Sequence, residues 1–255
     1  MTQPALPLSS PPDLTGPISR RHALGLLGLG ALTVGVAACA PPSTGTGSCS
    51  VIPSETNGPF PADGSNGLNV LTQSGIVRSD IRSSFGSSSG TAAGVLTTFK
   101  LKVLDVATCS PKSGAAVFVW HCDRDGKYSL YSSGATNQNY LRGVQPTGSD
   151  GIATFTSIFP ACYPGRWPHV HIEVFPSLAD ATALAKAKKV TQLALPAAVC
   201  NTVFATSGYG QSVTNFAGMS LTTDGVFRDD AAVHELGTVT GSVASGYVVS
   251  LDIPV

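Results

Sequence analysis

From about residue 95 onward, apolar and polar side chains alternate one for one in short runs broken by glycine and proline, and this rhythm restricts the fold most. In Phe99-Lys100-Leu101-Lys102-Val103 three apolar residues point one way and two lysines the other, as a half-buried strand demands. Residues 115–121 form a second, more fully buried run, residues 151–158 a third and residues 169–175 a fourth. In the fourth, Val170, Ile172 and Val174 fall on one face while His169, His171 and Glu173 fall on the other. Residues 237–244 and 246–253 read as a hairpin, residues 177–189 as a short helix or lysine-tipped excursion, and residues 196–206 as a further helical turn. The 28 glycines and 18 prolines among 255 residues supply the joints, and strands do not alternate with helices. The pattern therefore predicts an all-β chain, an antiparallel β-sandwich with short helical excursions and long loops.

Fifteen basic and fifteen acidic residues balance, so there is no basic stripe of the kind a phosphate backbone requires, and nucleic acid is excluded as a partner class. The N-terminus reads as an address. Ser19-Arg20-Arg21-His22-Ala23-Leu24 places paired arginines directly before an apolar run over residues 23–38, the layout of a twin-arginine export signal. That run is shorter than the ~20 residues a spanning helix needs. It ends in Val36-Ala37-Ala38-Cys39, which resembles a lipobox and makes Cys39 the candidate for lipidation; an uncleaved anchor or a plain signal with a coincidental cysteine are the competing readings. Residues 1–39 are thus read as the signal, residues 40–50 as a flexible tether and residues 51–255 as the domain. The expected location is extracytoplasmic, secreted or lipid-anchored, with membrane contact only through the lipid. Twin-arginine export carries folded cargo, often a metalloprotein, which hints at a cofactor loaded before export.

An oxidising destination favours disulfides. Cys109 and Cys122 flank a segment with a Pro-Lys-Ser-Gly turn and are expected to pair; Cys162 with Cys200 is the second candidate, leaving Cys49 over. A thiolate metal site competes, but no CxxC or CxxxC spacing supports it.

Only five histidines occur, and two of them stand one residue apart in Tyr163-Pro-Gly-Arg166-Trp-Pro-His169-Val-His171. Residues i and i+2 of a strand share a face with Cα atoms ~6.6 Å apart, so both imidazoles can reach one metal ion. Alone, such a pair is more often two exposed strand residues. Here a turn through Pro164-Gly165 can return Tyr163 beside them, and a second tyrosine, Tyr128, follows the turn Asp125-Gly126-Lys127. A phenol of ordinary pKa ~10 ionises at neutral pH only against a strongly charged Lewis acid, so paired tyrosines select a hard trivalent ion.

At these residues the sequence resembles the intradiol ring-cleavage dioxygenases, particularly their secreted, single-chain bacterial branch. The matching pieces are Glu55-Thr-Asn-Gly-Pro-Phe60, Arg78-Ser-Asp-Ile81, Gly114-Ala-Ala-Val, Trp120-His-Cys-Asp, Asp125-Gly-Lys-Tyr128-Ser and Leu141-Arg-Gly-Val-Gln145. Asp150 to Ile158, the stretch ending in His171, and Gln192 continue them in the family's order. The resemblance implies a non-haem ferric ion held by Tyr128, Tyr163, His169 and His171, with Tyr131 the runner-up ligand and Tyr140 a packed aromatic. It implies that Arg166 stabilises negative charge on the substrate ring, that Gln192 stands behind it, and that Tyr163 leaves the metal and acts as base. His121 and Asp123 position the loop of Tyr128, and His234 is an exposed loop residue. The implied reaction cleaves a catechol between its hydroxyl-bearing carbons with O2, giving a cis,cis-muconate-type product. Phe60-Pro61 stands where the family commonly has two aromatics, and Gly165 where some members carry a bulky one, which points to a more open cleft for larger or substituted catechols. Two other readings compete: an exported transthyretin-like sandwich that binds without iron, and the same sandwich with zinc or copper on the two histidines alone.

Overall fold

The computed structural model describes residues 49–183 and 186–255, all within the unit Gly45–Val255. The signal, Cys39 and most of the tether lie outside the described residues. Among the described residues no helix is long and apolar enough to cross a membrane.

Eight strands form two four-stranded sheets. They are β1 (Leu96–Leu104), β2 (Ala116–Trp120), β3 (Arg142–Pro146), β4 (Ile152–Ile158), β5 (His169–Phe175), β6 (Lys189–Ala194), β7 (Thr238–Ser242) and β8 (Gly246–Pro254). One sheet runs β4-β1-β8-β7 and the other β3-β2-β5-β6. The expected alternation holds in β1, where Phe99, Leu101 and Val103 point inward and meet Val117 and Val119 of β2 and Val170, Ile172 and Val174 of β5 in one buried cluster. Burial of this apolar area is the main stabilising term. The sandwich is not wholly antiparallel: β8 lies parallel to β1, with Phe99 beside Val249 and Leu101 beside Leu251. A strand returning after some 150 residues can enter a sheet in either direction, whereas a hairpin cannot.

The second sheet is buried on both faces. Every residue of β2 and of β5 is buried. A second cluster, built from Ala62, Val70, Leu71 and Ile76 of the N-terminal segment with Phe118, Trp120 and Tyr128, covers its outer side. Arg142 rivets this cover to the sheet: its guanidinium donates to the carbonyls of Pro61 (2.8 Å) and Ser129 (2.9 Å) and to Ser129 Oγ (3.0 Å). His169, His171 and Glu173 therefore lie between layers and not on a surface.

Among the described residues three short α-helices decorate the sandwich. Ser177 caps α1 (Leu178–Thr182) by accepting from the Asp180 N–H, so of the two readings of residues 177–189 the short helix is the one that appears at their start. Pro196 opens α2 (Ala197–Phe204), and α3 (Gly210–Ala217) was not expected from the sequence pattern.

The disulfide differs from the expected pairs. Cys109 is joined to Cys49, with Cα atoms 5.4 Å apart. Cys122 sits beyond the opposite end of β2, a strand ~16 Å long, which carries it out of reach. Cys122, Cys162 and Cys200 are free and buried. Cys162 and Cys200 do not pair because their thiols turn to different carbonyls, those of Arg166 and Leu195.

Candidate metal centre

Strand β5 places His169 and His171 on its outer face. In register with it, Trp120 of β2 and Gln192 of β6 flank His171 on either side. The Tyr128 loop is shaped by Asp123, whose Oδ1 accepts from the N–H groups of Asp125 and Lys127, both at 2.9 Å, and whose Oδ2 accepts from the Tyr140 hydroxyl (2.9 Å). Gly126, at φ +80°, lets that turn close against Tyr163; an added Cβ would stand 3.1 Å from the Tyr163 Cβ. Helix α3 holds the other loop: Ser212 Oγ accepts from Cys162 N–H (3.0 Å) and Asn215 donates to the Cys162 carbonyl (2.8 Å), fixing the backbone next to Tyr163.

These elements bring all four expected donors together. Around His169 Nε2 stand Tyr163 Oη at 3.2 Å, His171 Nε2 at 3.2 Å and Tyr128 Oη at 3.3 Å, with the two phenol oxygens 3.4 Å apart. His169 Nδ1 lies 2.5 Å from the Trp167 carbonyl, which can only accept, so Nδ1 carries the proton and Nε2 presents its lone pair to the group. His171 Nδ1 has no partner; its ring is set instead by stacking on Trp120 and by Gly58 at its edge, where a Cβ would come within 3.2 Å of Cε1.

Burial and the Arg166 charge push His169 down to about 3, and burial and His169 push His171 well below its ordinary value, so both imidazoles are neutral, as ligands must be. Burial raises the Tyr128 phenol well above its usual range and Tyr163 to about 12. Both phenols thus keep their protons at neutral pH unless a cation sits against them. The 3.2–3.4 Å separations of Tyr128 Oη, Tyr163 Oη and His171 Nε2 from His169 Nε2, and of the two phenol oxygens from each other, suit one ion bonded at ~2.0–2.1 Å to each. Among the described residues no group of three or more His, Cys, Asp or Glu could hold a metal, so the tyrosines are needed to complete a site.

Arg166 borders the group, Nη1 3.4 Å from His169 Nε2. It donates through Nη2 to Gln192 Oε1 (2.6 Å), and Gln192 Nε2 is anchored on the Thr56 carbonyl (2.8 Å). The runner-up Tyr131 points elsewhere, its hydroxyl accepting from Ala62 N–H and donating to Asn66. His121 is also outside, bonded to Ser157 Oγ and the Cys122 carbonyl between the sheets. His234 is exposed. Trp120, Gly58, Thr56, Ser212, Asn215 and Asp224 all shape the centre and were not singled out as site residues; only the turn signal Asp224-Gly225 offered a hint.

Residues 78–192, which include the four donors, Arg166 and Gln192, match the model of a family described as Dioxygenase. A chlorocatechol 1,2-dioxygenase of Rhodococcus opacus is 41% identical over 54 residues, 21% of this chain and 21% of that relative's length. Among solved structures, an intradiol ring-cleavage dioxygenase from Tetranychus urticae superposes with a TM-score of 0.63 at 24% identity, covering 81% of this chain and 94% of that one. The dioxygenase domain of a dioxygenase carbohydrate-binding fusion from Streptomyces sp. SirexAA-E gives 0.51 at 22% identity, covering 81% and 98%. In sequence across residues 78–192, and in fold across four fifths of its length, this chain is similar to the intradiol ring-cleavage dioxygenases.

Proposed function

We propose that this chain is a non-haem Fe(III) dioxygenase that cleaves catecholic rings between the two hydroxyl-bearing carbons, incorporating both atoms of O2 and releasing a cis,cis-muconate-type product. The observation that carries this reading is the convergence of Tyr128, Tyr163 and His171 on the lone pair of His169. Ferric iron, when bound, supplies a Lewis acid that takes a catechol as its dianion and opens the ring to O2. Tyr128, His169 and His171 would hold the ion from the closed side, all three being buried. Tyr163 is the less buried phenol, so its Oη is the one free to swing away and accept a catechol proton. Arg166 Nη1 offers a fixed positive charge to the negative charge that builds on the ring, and Gln192 keeps the guanidinium in that orientation. Its chain neighbours aside, nothing lies within 4 Å of the place a Gly165 side chain would occupy, and a cleft open there to substrates larger than catechol is part of the proposal. Export by the N-terminal segment, with a lipid on Cys39, completes the proposal and is checked by the mass of the mature chain.

Iron analysis, a visible spectrum and oxygen uptake with catechol, protocatechuate and hydroxyquinol test it together, with the ring-opened product identified. One iron per chain and a broad tyrosinate-to-ferric band are expected, and Tyr128→Phe and Tyr163→Phe should each shift or weaken that band. A colourless, iron-free protein after ferric loading, or a band unchanged in both variants, overturns the assignment.

A further inference from the structure

The Arg166 guanidinium is held by more than Gln192. Its Nε donates to Asp224 Oδ2 at 2.9 Å, and the same oxygen accepts from the Trp167 N–H at 2.7 Å. The other oxygen, Oδ1, accepts from the N–H groups of Val226 (2.8 Å) and Phe227 (3.0 Å). Asp224 is fully buried, and among the described residues Arg166 is the one cation it pairs with. Its four bonds lock the carboxylate plane, and through it they lock the rotation of the guanidinium. The fork is then divided: Nε goes to Asp224, Nη2 to Gln192, and Nη1 is left facing His169 Nε2. The Phe227 ring, carried on the same turn, has its centroid 5.8 Å from the guanidinium carbon.

From this geometry we infer that Asp224 is a positioning residue: it fixes the Arg166 guanidinium so that Nη1 is aimed at the four-donor group, and it does so from a segment outside the span shared with the dioxygenase family model. The inference rests on the proposed function only for what Nη1 does there; the clamp itself is a property of the chain. A planar cation with several donors loses its aim once one anchor is removed, because rotation about its last bonds is otherwise free. Loss of a partner that orients such a group lowers activity ~10- to 100-fold in comparable sites.

Two measurements on the full-length chain test this. First, nitrogen-15 NMR of the arginine side chains in the metal-free protein should show a slowly exchanging Nε–H that vanishes in Arg166→Gln and becomes fast-exchanging in Asp224→Asn. The asparagine keeps an acceptor for Val226 and Phe227 and is chosen to preserve the turn. Second, Asp224→Asn should lower kcat/KM for the best substrate among catechol, protocatechuate and hydroxyquinol ~10- to 100-fold in the wild-type background and under ~2-fold in the Arg166→Gln background. Iron content and the visible band should stay as in the parent. An Arg166 signal that survives Asp224→Asn, or an equal loss of kcat/KM in both backgrounds, overturns the inference. If Asp224→Asn fails to fold, the wild-type chain still decides: an Arg166 Nε–H exchanging as fast as in free arginine overturns it. A protected Nε–H in an iron-loaded chain that turns over none of catechol, protocatechuate and hydroxyquinol would instead leave the clamp standing and sink the dioxygenase reading.

Discussion

The imidazole of His171 lies flat on the indole of Trp120, ring centroids 4.9 Å apart and planes within 2° of each other. His171 Nδ1 has no hydrogen-bond partner among the described residues, so this stacking does the orienting that the Trp167 carbonyl does for His169. On the proposed function, Trp120→Leu is therefore expected to weaken iron retention ~10-fold or more, the loss typical when a ligand's support is removed. Iron per folded chain after dialysis against a chelator is the readout; retention equal to wild type would show that the indole does not set the ring.

Arg142 is a buried cation with no salt-bridged acid among the described residues, satisfied by two carbonyls and one hydroxyl, and burial pulls its pKa down to about 10, still charged at neutral pH. Arg142→Met would strand those acceptors and loosen the cover over the second sheet, costing roughly 2–5 kcal/mol. Urea unfolding checks this, and a cost below about 1 kcal/mol would mean that the cover is held by packing alone.

Glu235 is fully buried; its Oε1 accepts from Thr191 and its Oε2 has no partner among the described residues. Burial, then Glu55, raises its pKa from 4.5 to about 8. The folded chain thus keeps a proton that the unfolded chain releases near 4.5, so this group's stabilising share is complete below pH 4.5 and is lost as pH rises toward 8. Glu235→Gln should match wild type in Tm near pH 4.5 and exceed it at pH 8. A difference in Tm that does not change with pH would remove the acid from this account.

The Cys49–Cys109 bridge closes a loop with a sequence separation of 60. In the chain-entropy picture that is worth up to about 4 kcal/mol, and Cys49→Ser should show most of it in a denaturation midpoint. The free thiols predict the complement: two alkylation-sensitive cysteines fewer than the five of residues 49–255 after unfolding without reductant. Five labelled thiols would argue against the bridge.

Much of the centre was legible because its signals are local. The period of two in residues 169–175 fixes which side chains share a face, and the turns before Tyr128 and after Tyr163 are written in Asp-Gly and Pro-Gly. What stayed hidden depends on distant partners. Nothing in the sequence near Cys109 says that Cys49 stands beside it, and no periodicity tells that β8 joins β1 in parallel. Asp224 reads as an ordinary turn residue, since its Oδ1 does bind its own turn; only Oδ2 crosses to the Arg166 loop. Helix α3 was missed for the same reason, its grip on Cys162 being a tertiary one.

Seven successive residues of β5 have no open side to relax into. A sheet that serves as the shared wall of two cores transmits any change of volume from either room to the histidines it carries, so altered selectivity is best engineered from loop positions such as Gly165 and Phe60, leaving the wall untouched.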